Sequence, residues 1–184
     1  MKKIPSLFVR DYDGNRQVIN DAVPGSEWVL NGEGTPTVKW DGTSVLVNDG
    51  VLYKRYDAKR GKPTPPNFIP AQEPDEVTGH YPGWVPVLRS LPEDKYHIEA
   101  FDMKSDWENG TYELVGPKVQ GNPEGLSCHE LFRHGDTPLF GVPLNFEGIK
   151  EFLKSQNIEG IVWHHPDGRM VKIKKKDFGF KRNK

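Results

Sequence analysis

Long apolar runs are missing from this sequence. Hydrophobic residues make up only 35% of its 184 positions, and no stretch approaches the roughly 20 apolar residues of a membrane-spanning helix. Cysteine is almost absent: Cys128 stands alone, which excludes an internal disulfide and fits a reducing compartment. Charge of one sign is absent too. Lys and Arg number 25 against 26 Asp and Glu, for a net charge of −1. Composition therefore announces no nucleic-acid binder, and any phosphate-binding surface must be local. The opening Met1-Lys2-Lys3-Ile4-Pro5 has no apolar run of signal-peptide length, so a cytoplasmic, membrane-free protein is expected.

Helical periodicity is sparse, whereas 16 Pro and 19 Gly point to many turns. Five Trp and 11% aromatic residues argue for a packed core and against disorder. The length suits one domain. We expect a single α+β domain over residues 1–184, rich in antiparallel strands.

The chain is organised around Val38-Lys39-Trp40-Asp41-Gly42-Thr43. A strand-like run leads into Lys39, and Thr43-Ser44-Val45-Leu46-Val47 reads as a second strand. The Asp-Gly between them predicts a hairpin. A lysine held at a sheet rim beside other cations becomes a nucleophile once its amine is neutral. A second hairpin is predicted through Asn48-Asp49-Gly50 into Val51–Tyr56. Lys54 and Arg55 face opposite ways on it, so one of them should share a face with the Lys39 site. With Lys59, Arg60 and Lys62 they form a basic stretch suited to phosphates. Arg10, on an earlier short strand, is a further candidate phosphate contact.

Residues 63–92 are Pro-rich, which argues against a long helix or a central strand. An ordered excursion over one edge is expected. Tyr96–Phe101 reads as a strand able to pair with Thr111–Gly116, placing Glu99 and Glu113 in apolar strands. Leu131-Phe132-Arg133-His134 is a short strand. Asn145 looks like a helix cap, and Phe146, Ile149, Phe152 and Leu153 form a helical stripe over about residues 146–156. Ile158–His165 and Met170–Lys174 read as two strands about an Asp167-Gly168 turn. Lys172 and Lys174 then share one face and Val171 and Ile173 the other. Twin lysines on one face suit a bound polyanion. Lys175, Lys176, Lys181, Arg182 and Lys184 complete a basic tail expected to be solvated. The adjacent His164 and His165 face opposite ways, which argues against a shared zinc ion.

Together these residues suit a nucleoside triphosphate attacked at its α-phosphorus by Lys39. Lys172, Lys174 and Arg55 would stabilise phosphoryl charge. Glu159 would hold Mg²⁺ through water, and Glu113 would accept from a ribose hydroxyl.

The same residues resemble the covalent nucleotidyltransferases: DNA ligases, RNA ligases and capping enzymes. Lys39-Trp40-Asp41-Gly42 is similar to their Lys-x-Asp-Gly nucleophile motif. Arg55 falls where the second motif has arginine. Tyr112-Glu113-Leu114-Val115-Gly116-Pro117-Lys118-Val119-Gln120 resembles a stretch of type 2 RNA ligases, with Tyr112 where Gly is usual. Glu99 is therefore a rival to Glu113 for the ribose. Glu159-Gly160-Ile161-Val162 and Lys172-Ile173-Lys174 resemble the last two motifs.

Within the superfamily the chain is most similar to small RNA ligases related to the vertebrate 5′-to-3′ RNA ligase. The resemblance implies a nucleotidyltransferase (ATP-grasp-like) domain: two packed antiparallel sheets with flanking helices, and no OB domain. It implies ATP-dependent joining of 5′-phosphate and 3′-hydroxyl RNA ends through lysyl-AMP, in RNA repair, with Mg²⁺ or Mn²⁺. The implied catalytic residues are Lys39, Glu159, Lys172 and Lys174. Val38, Asp41, Gly42, Arg55, Glu113 or Glu99, and Phe132 against adenine would bind the nucleotide. Lys54, Arg60, Lys118 and Arg10 would contact RNA or phosphate. A monomer is expected. The alternatives are a guanylyltransferase or DNA ligase-like enzyme, and a non-catalytic RNA or nucleotide binder.

Overall fold

A computed structural model of the chain describes residues 3–182; Lys184 of the basic tail lies outside them. Among the described residues the strands are β1 Phe8–Arg10, β2 Val18–Ala22, β3 Thr35–Lys39, β4 Thr43–Asn48, β5 Val51–Lys59, β6 Ile69–Pro70, β7 His80–Pro86, β8 Gly110–Val115, β9 Glu130–Arg133, β10 Gly160–His164 and β11 Met170–Lys174. The α-helices are α1 Lys95–Phe101 and α2 Phe146–Ser155. All strand pairings between these elements are antiparallel, so the class is α+β. Among the described residues no helix is long and apolar enough to cross a membrane.

The chain divides into two compact units, and the division falls between Asp41 and Gly42. One unit comprises Lys3–Asp41 and the described part of Gly135–Lys184. Its three-stranded sheet runs β11-β10-β3, and β1 and β2 form a small ribbon. Strand β10 is central, and its Ile161, Val162 and Trp163 are all buried, as expected of a strand flanked on both sides. Alternation sends Ile161, Trp163, Val171 and Ile173 to one face, where they pack with Ile149 and Leu153 of α2. That helix begins where expected: the Asn145 side chain accepts from the Gly148 N–H at 2.8 Å. Its far end is closed by Lys175, whose ammonium donates to the carbonyls of Lys154 and Gln156. Lys175 is therefore buried, a correction to the solvated tail.

The other unit, Gly42–His134, holds a six-stranded sheet of order β6-β7-β5-β4-β8-β9. Val45, Val47, Leu52, Tyr112 and Leu114 form its core with Ala100 of α1. The β4–β5 hairpin is as expected, with Asp49 at φ 50° and Gly50 at φ 72°, the positive pair of a tight turn.

Three expectations are corrected. Lys39 and Thr43 do not flank a hairpin: β3 pairs with β10, and β4 with β5 and β8. No residue of 40–42 has positive φ, so the type I′ turn inferred from Asp-Gly is not formed. Gly42 serves a close approach instead: a Cβ there would collide with the Leu114 carbonyl.

Tyr96–Phe101 is helix α1, and β8 pairs with β4 and β9. The start signal is Pro92 with Glu93 and Asp94 just ahead, and His97, Ala100 and Phe101 follow at helical spacing. Finally, the Pro-rich segment supplies β7 inside the sheet, between β5 and β6. The Pro82 carbonyl accepts from Ala71 on the β6 side. Pro82 and Pro86 thus turn their donor-less nitrogens away from β5, towards a pairing only two residues long.

Candidate functional site

Sheet register builds the first group of residues. On β3-β10-β11, Lys39, Gly160 and Lys174 stand in one row, and Thr37, Val162 and Lys172 in the next. Even spacing puts both rows on the face opposite the core. Glu159, just before β10, bonds the Lys39 ammonium and lies 3.0 Å from Lys174 Nζ. Its side chain is only 13% exposed. Gly160 permits this: a Cβ there would strike the Ile173 carbonyl and the Lys174 Cα.

Electrostatics follow from three ammonium groups around one carboxylate. Burial pushes the Glu159 carboxyl up, but the charges and hydrogen bonds of Lys39 and Lys174 outweigh it and hold it below the ordinary range. Lys172 is pushed down, first by burial and then by the neighbouring ammoniums of Lys174 and Lys39. A net positive, partly desolvated patch of this kind is improved by a polyanion.

A depressed carboxylate gives stability that is present above its unfolded pKa and lost as pH falls through its folded pKa. Glu159→Gln is therefore expected to lower Tm near neutral pH. After discounting for partial exposure the loss is about 1–2 kcal/mol. The gap to wild type should close as pH falls below the ordinary carboxylate range. Melting curves of both proteins across pH check this. A gap that widens in acid would contradict it.

The frame behind the lysines is backbone. The Leu7 N–H donates to the Lys172 carbonyl at 2.8 Å, and the Lys172 N–H donates to the Pro5 carbonyl at 2.9 Å. The Lys174 N–H donates to Asp177 Oδ2 at 2.9 Å, and Arg10 bonds Asp177 Oδ1. Arg10, read from sequence as a phosphate contact, thus sits against the carboxylate that fixes Lys174. Val38 turns its N–H to the Thr137 carbonyl. Asp41 lies 3.7 Å from the Arg182 guanidinium.

The second group lies on the six-stranded sheet. Ser44, Glu113 and Phe132 pair across β4, β8 and β9, on the face turned from that sheet's core. Alternation along β5 puts Arg55 on the same face, over the Trp84 ring at 5.3 Å. Lys54 takes the opposite face and bonds Asp94, whose other oxygen accepts the Leu88 N–H at 2.8 Å. Of the basic pair, Arg55 joins Glu113 and Phe132, and Lys54 does not.

Glu113 Oε1 accepts the Gly42 N–H at 3.2 Å, and Oε2 lies 2.9 Å from His134 Nε2. Gln120 reaches the Gly42 carbonyl at 3.4 Å. Glu99 is elsewhere, on α1. Its exposed carboxylate meets His129 Nδ1 at 2.8 Å, a bond that depresses it. The Lys118 N–H donates to His129 Nε2 at 3.2 Å, while the Lys118 and Arg60 side chains are exposed.

Sequence reasoning gave no role to His134 or Asp177. Strand parity was the available signal for His134, two residues beyond Phe132 and so on its face. Asp177 carried none, because its partners are Arg10 and the Lys174 backbone.

The family model for RNA ligase 1 matches residues 88–184, more than half of the chain. Among known proteins, RNA ligase 1 of Pongo abelii is 34% identical over 64% of this chain and 49% of its own length. That of Rattus norvegicus is 32% identical over the same shares. The Danio rerio protein is 32% identical over 59% of this chain and 43% of its own.

These matches are all to RNA ligases. The chain belongs to the RNA ligase 1 family, and it spans about half the length of the curated relatives it matches.

Proposed function

We propose that the protein is an ATP-dependent RNA ligase with a nucleotidyltransferase fold, joining 5′-phosphate to 3′-hydroxyl RNA ends, and that it acts as a cytoplasmic monomer in RNA repair. The observation that carries the reading is the single row Lys39–Gly160–Lys174, with Glu159 bonded to both lysines. A nucleophile, its orienting carboxylate and phosphate-binding cations are what the reaction needs.

In the first step the free amine of Lys39 attacks the α-phosphorus of ATP. An N–P bond forms, the α–β anhydride breaks, pyrophosphate leaves, and the amine proton passes to water. Lys172 and Lys174 offset charge on the phosphoryl oxygens. In the second step an oxygen of the RNA 5′-phosphate attacks the same phosphorus. The N–P bond breaks, a pyrophosphate linkage forms, and Lys39 regains a proton. In the third step the RNA 3′-hydroxyl attacks the 5′-phosphorus, the phosphodiester forms, AMP leaves and the hydroxyl proton is released.

The second group serves the nucleoside: Glu113 at the ribose, Phe132 against adenine, Arg55 on phosphate. Val38, Asp41 and Gly42 are assigned to nucleotide binding as well, and exposed Arg60 and Lys118 to RNA. Among the described residues no three His, Cys, Asp or Glu side chains cluster to hold a metal by themselves. The donor set fits Mg²⁺ or Mn²⁺ held by Glu159 through water with the nucleotide's phosphates supplying further oxygens. Such an ion would neutralise triphosphate charge.

The test is sealing of a labelled RNA carrying a 5′-phosphate and a 3′-hydroxyl, with ATP and Mg²⁺ or Mn²⁺. Joined product is expected, and none from 5′-hydroxyl RNA. Joining of DNA but not RNA would favour the DNA ligase alternative.

A further inference from the structure

We infer that His134 is a positioning residue for nucleotide sugar recognition: it holds Glu113 in the orientation that selects a ribonucleotide over its 2′-deoxy counterpart. This rests on the proposed nucleotidyl-transfer reading and adds to it a residue and a selectivity.

Four side chains meet on one face of β8 and β9. Glu113 pairs with Phe132, and the His134 N–H donates to the Thr111 carbonyl, which sets His134 diagonal to Glu113. His134 Nε2 lies 2.9 Å from Glu113 Oε2, and Nδ1 lies 3.0 Å from Thr111 Oγ1. Glu113 is 9% exposed. An ionised carboxylate only accepts, so Nε2 carries the proton and donates. With the proton on Nε2, Nδ1 is the ring's acceptor and the Thr111 hydroxyl its donor. The Thr111–His134–Glu113 chain thus fixes the ring's orientation as well as the carboxylate's.

The Gly42 N–H, at 3.2 Å, is the other donor to Glu113. On the opposite flank the Ser44 hydroxyl is buried without a partner and gives the carboxylate nothing. With one donor on each oxygen, each oxygen keeps a lone pair for a ligand. Two acceptors so placed match a pair of vicinal hydroxyls. A sugar lacking one hydroxyl leaves one acceptor of a largely buried carboxylate unpaired. If His134 were removed, the carboxylate could rotate about its remaining bond, and the match would be lost.

The experiment compares ATP with 2′-deoxyATP as substrates for the lysyl adduct, followed by intact mass over a concentration series, in wild type, His134→Phe, His134→Gln and Thr111→Val. Phe keeps a ring and removes both bonds; Gln keeps an N–H near the Nε2 position. Wild type should need on the order of tenfold or more 2′-deoxyATP for the same rate. In His134→Phe that ratio should fall to about twofold or less, with Gln restoring much of it and Thr111→Val lying between.

An unchanged ratio in His134→Phe with a wild-type melting temperature would overturn the inference. So would a wild type that does not discriminate. If the Phe variant fails to fold, the Gln and Val variants decide: a wild-type ratio in Thr111→Val together with loss in Gln contradicts the chain of bonds. A wild type that forms no adduct overturns the nucleotidyl-transfer reading itself, an outcome separate from any change in ratio.

Discussion

Wild-type protein incubated with ATP and Mg²⁺ should gain about 329 Da, the mass of one AMP, and Lys39→Ala should gain nothing. Lys39 ends β3 with its ammonium bonded to Glu159, in the same row as Lys174, so its nitrogen is held on the sheet's polar face and cannot swing free. Exposed lysines such as Lys118 lack that frame and should not substitute.

Lys39→Arg should fail as completely, although it keeps the charge and the Glu159 partner, because a guanidinium does not give up its proton to become a nucleophile. That pair of variants separates nucleophile from cation. An adduct on Lys39→Ala would sink the assignment. An adduct with GTP but not ATP would favour the guanylyltransferase alternative. No adduct with ATP, GTP or NAD under either metal would favour a non-catalytic nucleotide or RNA binder.

Gly160→Ala should have the second large effect, on stability and chemistry together. The added Cβ would sit against the Ile173 carbonyl and the Lys174 Cα, closer than real Cβ atoms approach. Strand β10 cannot move away, because β11 and β3 pair with it on both sides. Something in the backbone must shift, and a misfit of this kind in packed structure costs about 3 kcal/mol or more. Each kcal/mol lowers Tm by about 2–4 °C in a chain of this size.

The shift also separates Lys39 from Lys174, so adduct formation should fall even at temperatures where the variant is folded. Gly168→Ala is the control. Gly168 has φ +90° but open space around its Cβ position, so only local strain of about 1 kcal/mol is expected. Thermal melting and adduct mass on both variants check this. A Gly160→Ala protein with wild-type Tm and rate would show that β10 and β11 have room to spare.

Much of the Lys39 group was legible in the sequence because it depends on alternation. Period-two patterning in Met170–Lys174 put both lysines on one face, and Ile158–His165 read as the strand across the Asp167-Gly168 turn. Helix α2 was legible because its Asn145 cap and apolar stripe agree. Helix α1 was not, since Tyr96, Ile98 and Phe101 favour strands by propensity, and burial of Ala100 against β4 and β8 side chains overrode that preference. The Lys39–Thr43 hairpin failed for a related reason. Asp-Gly signals a tight turn only when the flanking strands pair with each other, and pairing is non-local.

By itself, then, the sequence determined strand periodicity, the nucleophile candidate and its partner motifs, because those follow from residue type and spacing along one chain. Tertiary structure decided the rest: that Arg55 and not Lys54 joins Glu113, that Arg10 holds Asp177, that Lys175 closes a helix, and that His134 grips Glu113. Each depends on which strand lies beside which. The free energy that settles it, burial of two separate apolar cores, is a property of the folded chain and not of any segment.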